Sequence, residues 1–204
     1  MQYGIVILLG YLLGTISPSA LVSKLKKTNL KEVGTHNLGA TNTMLNFGKG
    51  WGAFVMLFDI AKAFAAFKLA ELIFPTASLI GLVAGSSAVV GHIYPFYLNF
   101  KGGKGLAAFG GLVLAFNPLI FCFLLVFALI LMFIVNYSFI MPYSASVLFP
   151  ILAGLHAKSW LVFGITLAIS ALLAFKHRDN VKKALHGEDI QIRGYFKQHF
   201  LHRS

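Results

Sequence analysis

Three short segments of this chain hold nearly all of its chemistry. Residues 34–42 read Gly34-Thr35-His36-Asn37-Leu38-Gly39-Ala40-Thr41-Asn42. Glycine permits the positive φ angles that a nest of backbone N–H groups requires, and Thr and Asn add neutral donors. Such a loop suits an anion, the more so where a helix begins directly after it. A polar connecting loop with helix caps is the plainer reading, and this segment alone weighs the two evenly. Residues 91–105 open with Gly91-His92-Ile93-Tyr94-Pro95 and close with Phe100-Lys101-Gly102-Gly103-Lys104-Gly105. Two lysines in a glycine-rich turn form a natural phosphate cradle: backbone amides wrap the oxygens and Lys supplies point charge. A flexible loop with snorkelling lysines is the alternative. This is not a Walker A loop, because position 98 is Leu where Gly is required and no Ser or Thr follows Lys104. The third segment holds Lys176-His177-Arg178-Asp179-Asn180 and then Gly187-Glu188. A basic stop at a helix end explains its cations. It does not explain His177, Asn180 and Glu188, and on a helix His177 and Asn180 share a face.

Asp59 and Lys62 stand three residues apart inside an apolar stretch. Ionisable groups in such a helix are costly and face an interior or a cavity. Two readings stand, a self-satisfying ion pair or a support beneath the site. His36, His92 and His177 lie in separate segments without metal-ligand spacing, so neither a metal nor a cofactor is expected.

These segments need elements to hold them. The chain has 204 residues, of which 58% are hydrophobic and 11% charged, with a mean hydropathy of +0.80. Soluble domains carry about 25% charged residues, so a water-soluble globule is excluded and an all-α integral membrane protein is expected. The single cysteine, Cys122, rules out an internal disulfide. The net charge of +11 reads first as the excess of Lys and Arg in cytoplasmic loops, then as a preference for anionic substrates or headgroups, not for nucleic acid. Fourteen of the 17 Lys and Arg fall in three loops, at 23–50, 96–105 and 176–204. All three should therefore face the cytoplasm. No positive residue precedes the first apolar run, so that run is expected to be a retained helix with its N-terminus outside. An even number of spans must then join residue 105 to residue 176. Breaks at Asn117-Pro118, Asn136-Tyr137-Ser138 and His156-Ala157-Lys158 divide this stretch into four. The expectation is one polytopic domain over 1–204, a seven-helix transmembrane bundle. Its C-terminus is cytoplasmic, and some helices, such as 106–116, are short or re-entrant.

Together the three segments resemble those of the acyl-phosphate-dependent glycerol-3-phosphate acyltransferases of bacterial membranes, the PlsY family. That family's motifs run approximately GSGNxGATN, GHxFPxxxxFKGGKG and HRxNxxRLxxGxE. Here they stand as GTHNLGATN, GHIYPFYLNFKGGKG and HRDNVKKALHGE. The resemblance implies transfer of an acyl group from acyl phosphate to the 1-hydroxyl of glycerol-3-phosphate, giving lysophosphatidic acid and phosphate without an acyl-enzyme. It also implies a multi-pass protein of the bacterial inner membrane with a cytoplasmic site, in contact with the lipid bilayer and with the soluble enzyme that forms acyl phosphate. Thr35, Lys104, His177, Asn180 and Glu188 are the expected catalytic residues. Gly34, His36, Asn37, Gly39, Thr41, Asn42, His92, Lys101, Gly102, Gly103, Gly105 and Arg178 are expected to bind substrate, with Asp59 and Lys62 behind them. This chain departs from the pattern in carrying Thr35 for Ser, His36 for Gly, Leu45 for the Arg that follows the first motif and Lys183 for Arg in the third.

A transporter of an anionic phosphorylated metabolite is the rival reading. Its charges and helix breaks would sit at the membrane midplane, whereas here the polar motifs gather at one face. An acyl-CoA acyltransferase using a His-x4-Asp pair is also weighed, but no histidine here has Asp five positions on.

Overall fold

Most helices form where the sequence is apolar, and Ser17-Pro18, Phe74-Pro75 and Asn117-Pro118 punctuate them. The computed structural model describes residues 1–187 and Arg193, so Glu188 lies outside the described residues. Ten α-helices and one 3-10 turn follow one another among them, with no strand. They are α1 (Gln2–Thr15), α2 (Pro18–Leu25), α3 (Ala40–Phe47), α4 (Lys49–Ile73), α5 (Ile80–Ile93), α6 (Leu106–Phe116), α7 (Pro118–Val135), α8 (Ile140–Ala157), α9 (Trp160–Lys176) and α10 (Arg178–Leu185). The chain divides into two compact units, Met1–Pro118 and Leu119–Ser204.

Four stretches, Gln2–Leu25, Ile80–Leu98, Pro118–Val135 and Ile140–Ala157, are long and apolar enough to cross a membrane among the described residues. A fifth joins them if α9 and α10, bent by 42°, count as one. The sequence led to seven helices, with five full crossings left open if the short ones are broken or re-entrant. α6 has 11 residues, about 16 Å at 1.5 Å per residue, and cannot cross a hydrocarbon core about 30 Å thick.

The first unit is tied together by small residues. Gly10 and Gly14 of α1 lie so close to the backbones of Ala84 and Ala88 of α5 that a Cβ at either position would overlap the facing carbonyl. Gly91 is pressed in the same way against the carbonyl of Tyr11, and Gly111 of α6 against that of Ile60 of α4. Small residues four apart let helix backbones approach, which is how apolar helices associate where no water drives them together. Val6, Ala70, Ile80 and Ala84 form a buried cluster at this crossing.

The first apolar run is one candidate span, Gln2–Leu25, made of two helices. Ser17 caps α2, accepting from the Ala20 N–H, and Pro18 occupies its first turn. Proline lacks an N–H and pushes the preceding residue out of the helical region, so α1 ends there. Side chains satisfy the backbone groups released at the break. The Tyr97 hydroxyl donates to the Thr15 carbonyl at 2.7 Å and accepts from the Ser17 N–H at 3.2 Å. Lys62 donates to the Ile16 carbonyl at 2.8 Å.

In the second unit α8 and α9 pair as an antiparallel hairpin. Lys158 turns the chain in the left-handed region (φ 49°) and the Ser159 hydroxyl caps α9. The Tyr143 hydroxyl reaches across to the Ala174 carbonyl at 3.1 Å.

Candidate active site

The first motif is built around Asn42, which is 1% exposed. Its Oδ1 accepts from the Thr35 N–H at 2.8 Å and from the Asn46 amide at 3.0 Å. Its Nδ2 reaches the carbonyls of Leu30 (2.8 Å), Asn37 (3.0 Å) and Val33 (3.1 Å). One side chain thus folds thirteen residues of loop around itself. The loop turns twice through the left-handed region, at Gly34 (φ 60°) and His36 (φ 55°). Where the family pattern has glycine, His36 takes a conformation that glycine holds without strain and that His tolerates better than most residues. A Cβ at Gly34 would overlap the Asn42 amide oxygen. Gly39 then starts α3 in extended backbone, with no side-chain cap. Thr35, Asn37 and Gly39 are half-buried, whereas Thr41 and His36 are exposed.

The second motif folds back on the end of α5. The Gly102 and Gly103 N–H groups donate to the carbonyls of Ile93 and His92, both at 3.1 Å. Gly105 (φ 96°) starts α6, again with no side-chain cap. Lys104 is half-buried and Lys101 exposed. His92 is buried and points away from solvent. Its Nδ1 lies 2.9 Å from Lys62 Nζ and 3.2 Å from Asp59 Oδ1, and Asp59 and Lys62 pair at 2.7 Å.

The two motifs meet at Gly103, where a Cβ would overlap both the His92 imidazole and the Leu38 carbonyl. Each motif therefore leads into a helix that starts without a side-chain cap, the two leading loops touch at Leu38 and Gly103, and Lys104 lies between Gly103 and the start of α6. A helix start without a side-chain cap offers N–H donors and the positive end of a dipole, features that suit an anion.

The third motif lies in the second unit. His177 closes α9 and opens α10. It is 5% exposed, and its Nδ1 lies 2.9 Å from the Leu173 carbonyl. A carbonyl only accepts, so Nδ1 carries a proton and, in the neutral ring, Nε2 is the basic nitrogen. The Asn180 N–H donates to the His177 carbonyl at 3.0 Å. Arg178 is exposed, bonded to the Phe175 carbonyl at 3.0 Å and stacked 4.0 Å from the Phe175 ring. Among the described residues no cluster of His, Cys, Asp and Glu could hold a metal ion.

Two contributors escaped the sequence reading. Tyr97 holds the α1 break, and Lys31 Nζ donates to the Leu98 carbonyl at 3.3 Å, linking the first loop to the second motif. Only Tyr97 had a signal, since it lies inside the second motif.

A family model described as glycerol-3-phosphate acyltransferase matches residues 4–187. This chain belongs to that family. It is 34% identical over 196 residues to the glycerol-3-phosphate acyltransferase of Macrococcus caseolyticus, covering 94% of this chain and 98% of the relative. With that of Aquifex aeolicus it shares 32% over 186 residues, covering 90% and 95%. Among solved structures it resembles PlsY, an integral membrane glycerol 3-phosphate acyltransferase, in its glycerol 3-phosphate form. There the TM-score is 0.86 at 29% identity, over 94% of this chain and 96% of that one. The lysophosphatidic acid form of PlsY gives a TM-score of 0.84 at 28% identity. The family match takes in the first two motifs whole and the third up to Gly187.

Proposed function

We propose that this protein acylates the 1-hydroxyl of glycerol-3-phosphate to give lysophosphatidic acid, and that its donor is a fatty acyl phosphate. The observation that carries the reading is the Leu38–Gly103 contact between the loops that lead into two helices without side-chain caps, with Lys104 in the second of those loops. Both substrates on this reading are phosphorylated, and their mutual repulsion is what such donors offset. The relatives' shared activity and the substrate and product forms of PlsY support the same substrate class.

The glycerol oxygen attacks the acyl carbonyl carbon, the bond from that carbon to the phosphate oxygen breaks, and the hydroxyl proton ends on phosphate. An acyl phosphate is already activated, so no enzyme nucleophile is needed and the rate comes from positioning and charge stabilisation. Lys104 and Thr35 contact phosphate oxygens on this reading. Asn37, Asn42 and the glycines shape the loops, while Thr41, Lys101 and Arg178 add donors and charge. His177 and Asn180 orient the substrates. If a base is needed, His177 is the side chain with the fitting intrinsic chemistry; the substrate's own phosphate is the rival acceptor. Glu188 orients His177 or a lysine. The concentration of Lys and Arg in three loops supports a cytoplasmic site, an outside N-terminus and a bacterial inner-membrane location. The soluble enzyme that makes acyl phosphate is the expected supplier.

The test is donor choice. Purified in detergent, the protein should form lysophosphatidate from acyl phosphate and glycerol-3-phosphate and not from acyl-CoA or acyl carrier protein. Product from acyl-CoA alone would overturn the assignment of the donor.

A further inference from the structure

The glycines of the second motif answer to the protein as well as to any ligand. A Cβ at Gly102 would overlap the His92 carbonyl, and one at Gly103 the His92 ring. The His92 ring is thus the floor on which the turn lies. What fixes that ring is remote from the turn. Lys62 Nζ has three acceptors, Asp59 Oδ1 at 2.7 Å, the Ile16 carbonyl at 2.8 Å and His92 Nδ1 at 2.9 Å. An ammonium has three N–H donors and no acceptor, so this set uses all of them. His92 Nδ1 is then the acceptor and its proton sits on Nε2, the nitrogen beside Gly103. Asp59 Oδ1, at 3.2 Å from the same Nδ1, could take a proton from His92 only if Lys62 let go. Lys62 and Asp59 side chains are 3% and 2% exposed, so neither meets substrate directly.

We propose that Lys62, held by Asp59, is a positioning residue: it locks the orientation and tautomer of His92 beneath Gly102 and Gly103, and so sets how tightly the turn around Lys104 holds substrate phosphate. This rests on the reading that the 101–105 turn binds phosphate. Lys62 also joins the turn to the α1 break through the Ile16 carbonyl, so α1, α4 and α5 are all fixed relative to the cradle by one ammonium group. Without it, the His92 proton moves to Nδ1 to meet Asp59, and Nε2 turns from donor to acceptor under the glycines.

Two paired substitutions separate positioning from bulk stability. Asp59→Leu with Lys62→Met replaces both charges by apolar side chains and removes the donor to His92 Nδ1, an exchange that buried pairs often tolerate. It should fold, and its KM for glycerol-3-phosphate should rise about tenfold with kcat within about threefold of wild type. Asp59→Asn with Lys62→Gln also removes both charges but keeps an amide donor for His92, and should recover KM to within about threefold. An unchanged KM in the Leu/Met pair overturns the proposal; so does an equal rise in both pairs. If the Leu/Met pair does not fold, 15N spectra of histidine-labelled wild-type protein decide, with the His92 signal assigned by its loss in His92→Gln. An Nε2–H tautomer is expected, and an Nδ1–H tautomer overturns the proposal. Wild-type turnover is the control for the functional reading. If wild type makes no lysophosphatidate, that reading fails, and calorimetric binding of glycerol-3-phosphate to the same variants still tests the positioning role.

Discussion

The backbone N–H of Thr35 donates to Oδ1 of Asn42 at 2.8 Å, across seven residues of loop. The hydroxyl expected to touch phosphate is therefore placed by a buried amide whose other nitrogen and oxygen contacts are all within the protein. Asn42→Asp keeps the shape but replaces an N–H2 donor by an oxygen facing the carbonyls of Leu30, Val33 and Asn37. Loss of those bonds with the acceptors left buried should cost about 3 kcal/mol and most of the activity. Thermal unfolding in detergent measures the first and turnover the second; Asn42→Asp protein with wild-type turnover would contradict this role.

Leu45 stands one turn after Thr41 on α3, and is 42% exposed. An arginine there has room, and its guanidinium would offer a bidentate donor to phosphate. Leu45→Arg should leave the melting temperature unchanged and lower the KM for glycerol-3-phosphate by about tenfold. A KM that does not move would place position 45 away from the substrate phosphate.

Helix contact in the first unit gives an internal comparison within α1. Gly14 meets the Ala88 backbone, whereas a Cβ at Gly4 meets nothing within 4 Å. Gly14→Ala should push α1 from α5 and cost about 1–3 kcal/mol, while Gly4→Ala should be neutral or slightly stabilising. Melting temperatures of the two single variants are sufficient; equal effects would deny the close approach.

Breaking the Asp59–Lys62 pair from one side differs from removing it. Asp59→Ala leaves a buried ammonium without its carboxylate and should cost about 3–5 kcal/mol, more than the paired Leu/Met replacement. Unfolding of both variants beside wild type checks the order, and a less stable paired variant would reverse it.

Much of this was legible in the sequence, for identifiable reasons. The punctuation at Asn117-Pro118, at residues 136–138 and at residues 156–158 coincides with the ends of α6, α7 and α8, because proline and turn residues act locally. The i, i+3 spacing of Asp59 and Lys62 gave their pairing. It could not give His92, thirty residues on in the chain from Lys62, because that contact depends on how α4 and α5 cross. That crossing in turn depends on Gly81 and Gly85 of α5 meeting the Phe67 ring of α4, which hydropathy does not register. The α1 break did have a local signal, Ser17 before Pro18, hidden inside an otherwise unbroken apolar run. Crossing number was the weakest inference, since loop charge fixes only parity and helix length had to be measured. His92 was expected among the groups that meet substrate, and its ring is instead directed at Lys62 and Asp59.

The most direct test of the account is Lys104→Ala, assayed with acyl phosphate and glycerol-3-phosphate for lysophosphatidate and inorganic phosphate together. Wild type should release the two in equal amounts. The folded variant should lose about a hundredfold or more of both. Folded Lys104→Ala protein that turns over within a few-fold of wild type would contradict the claim that this turn holds the reacting phosphate.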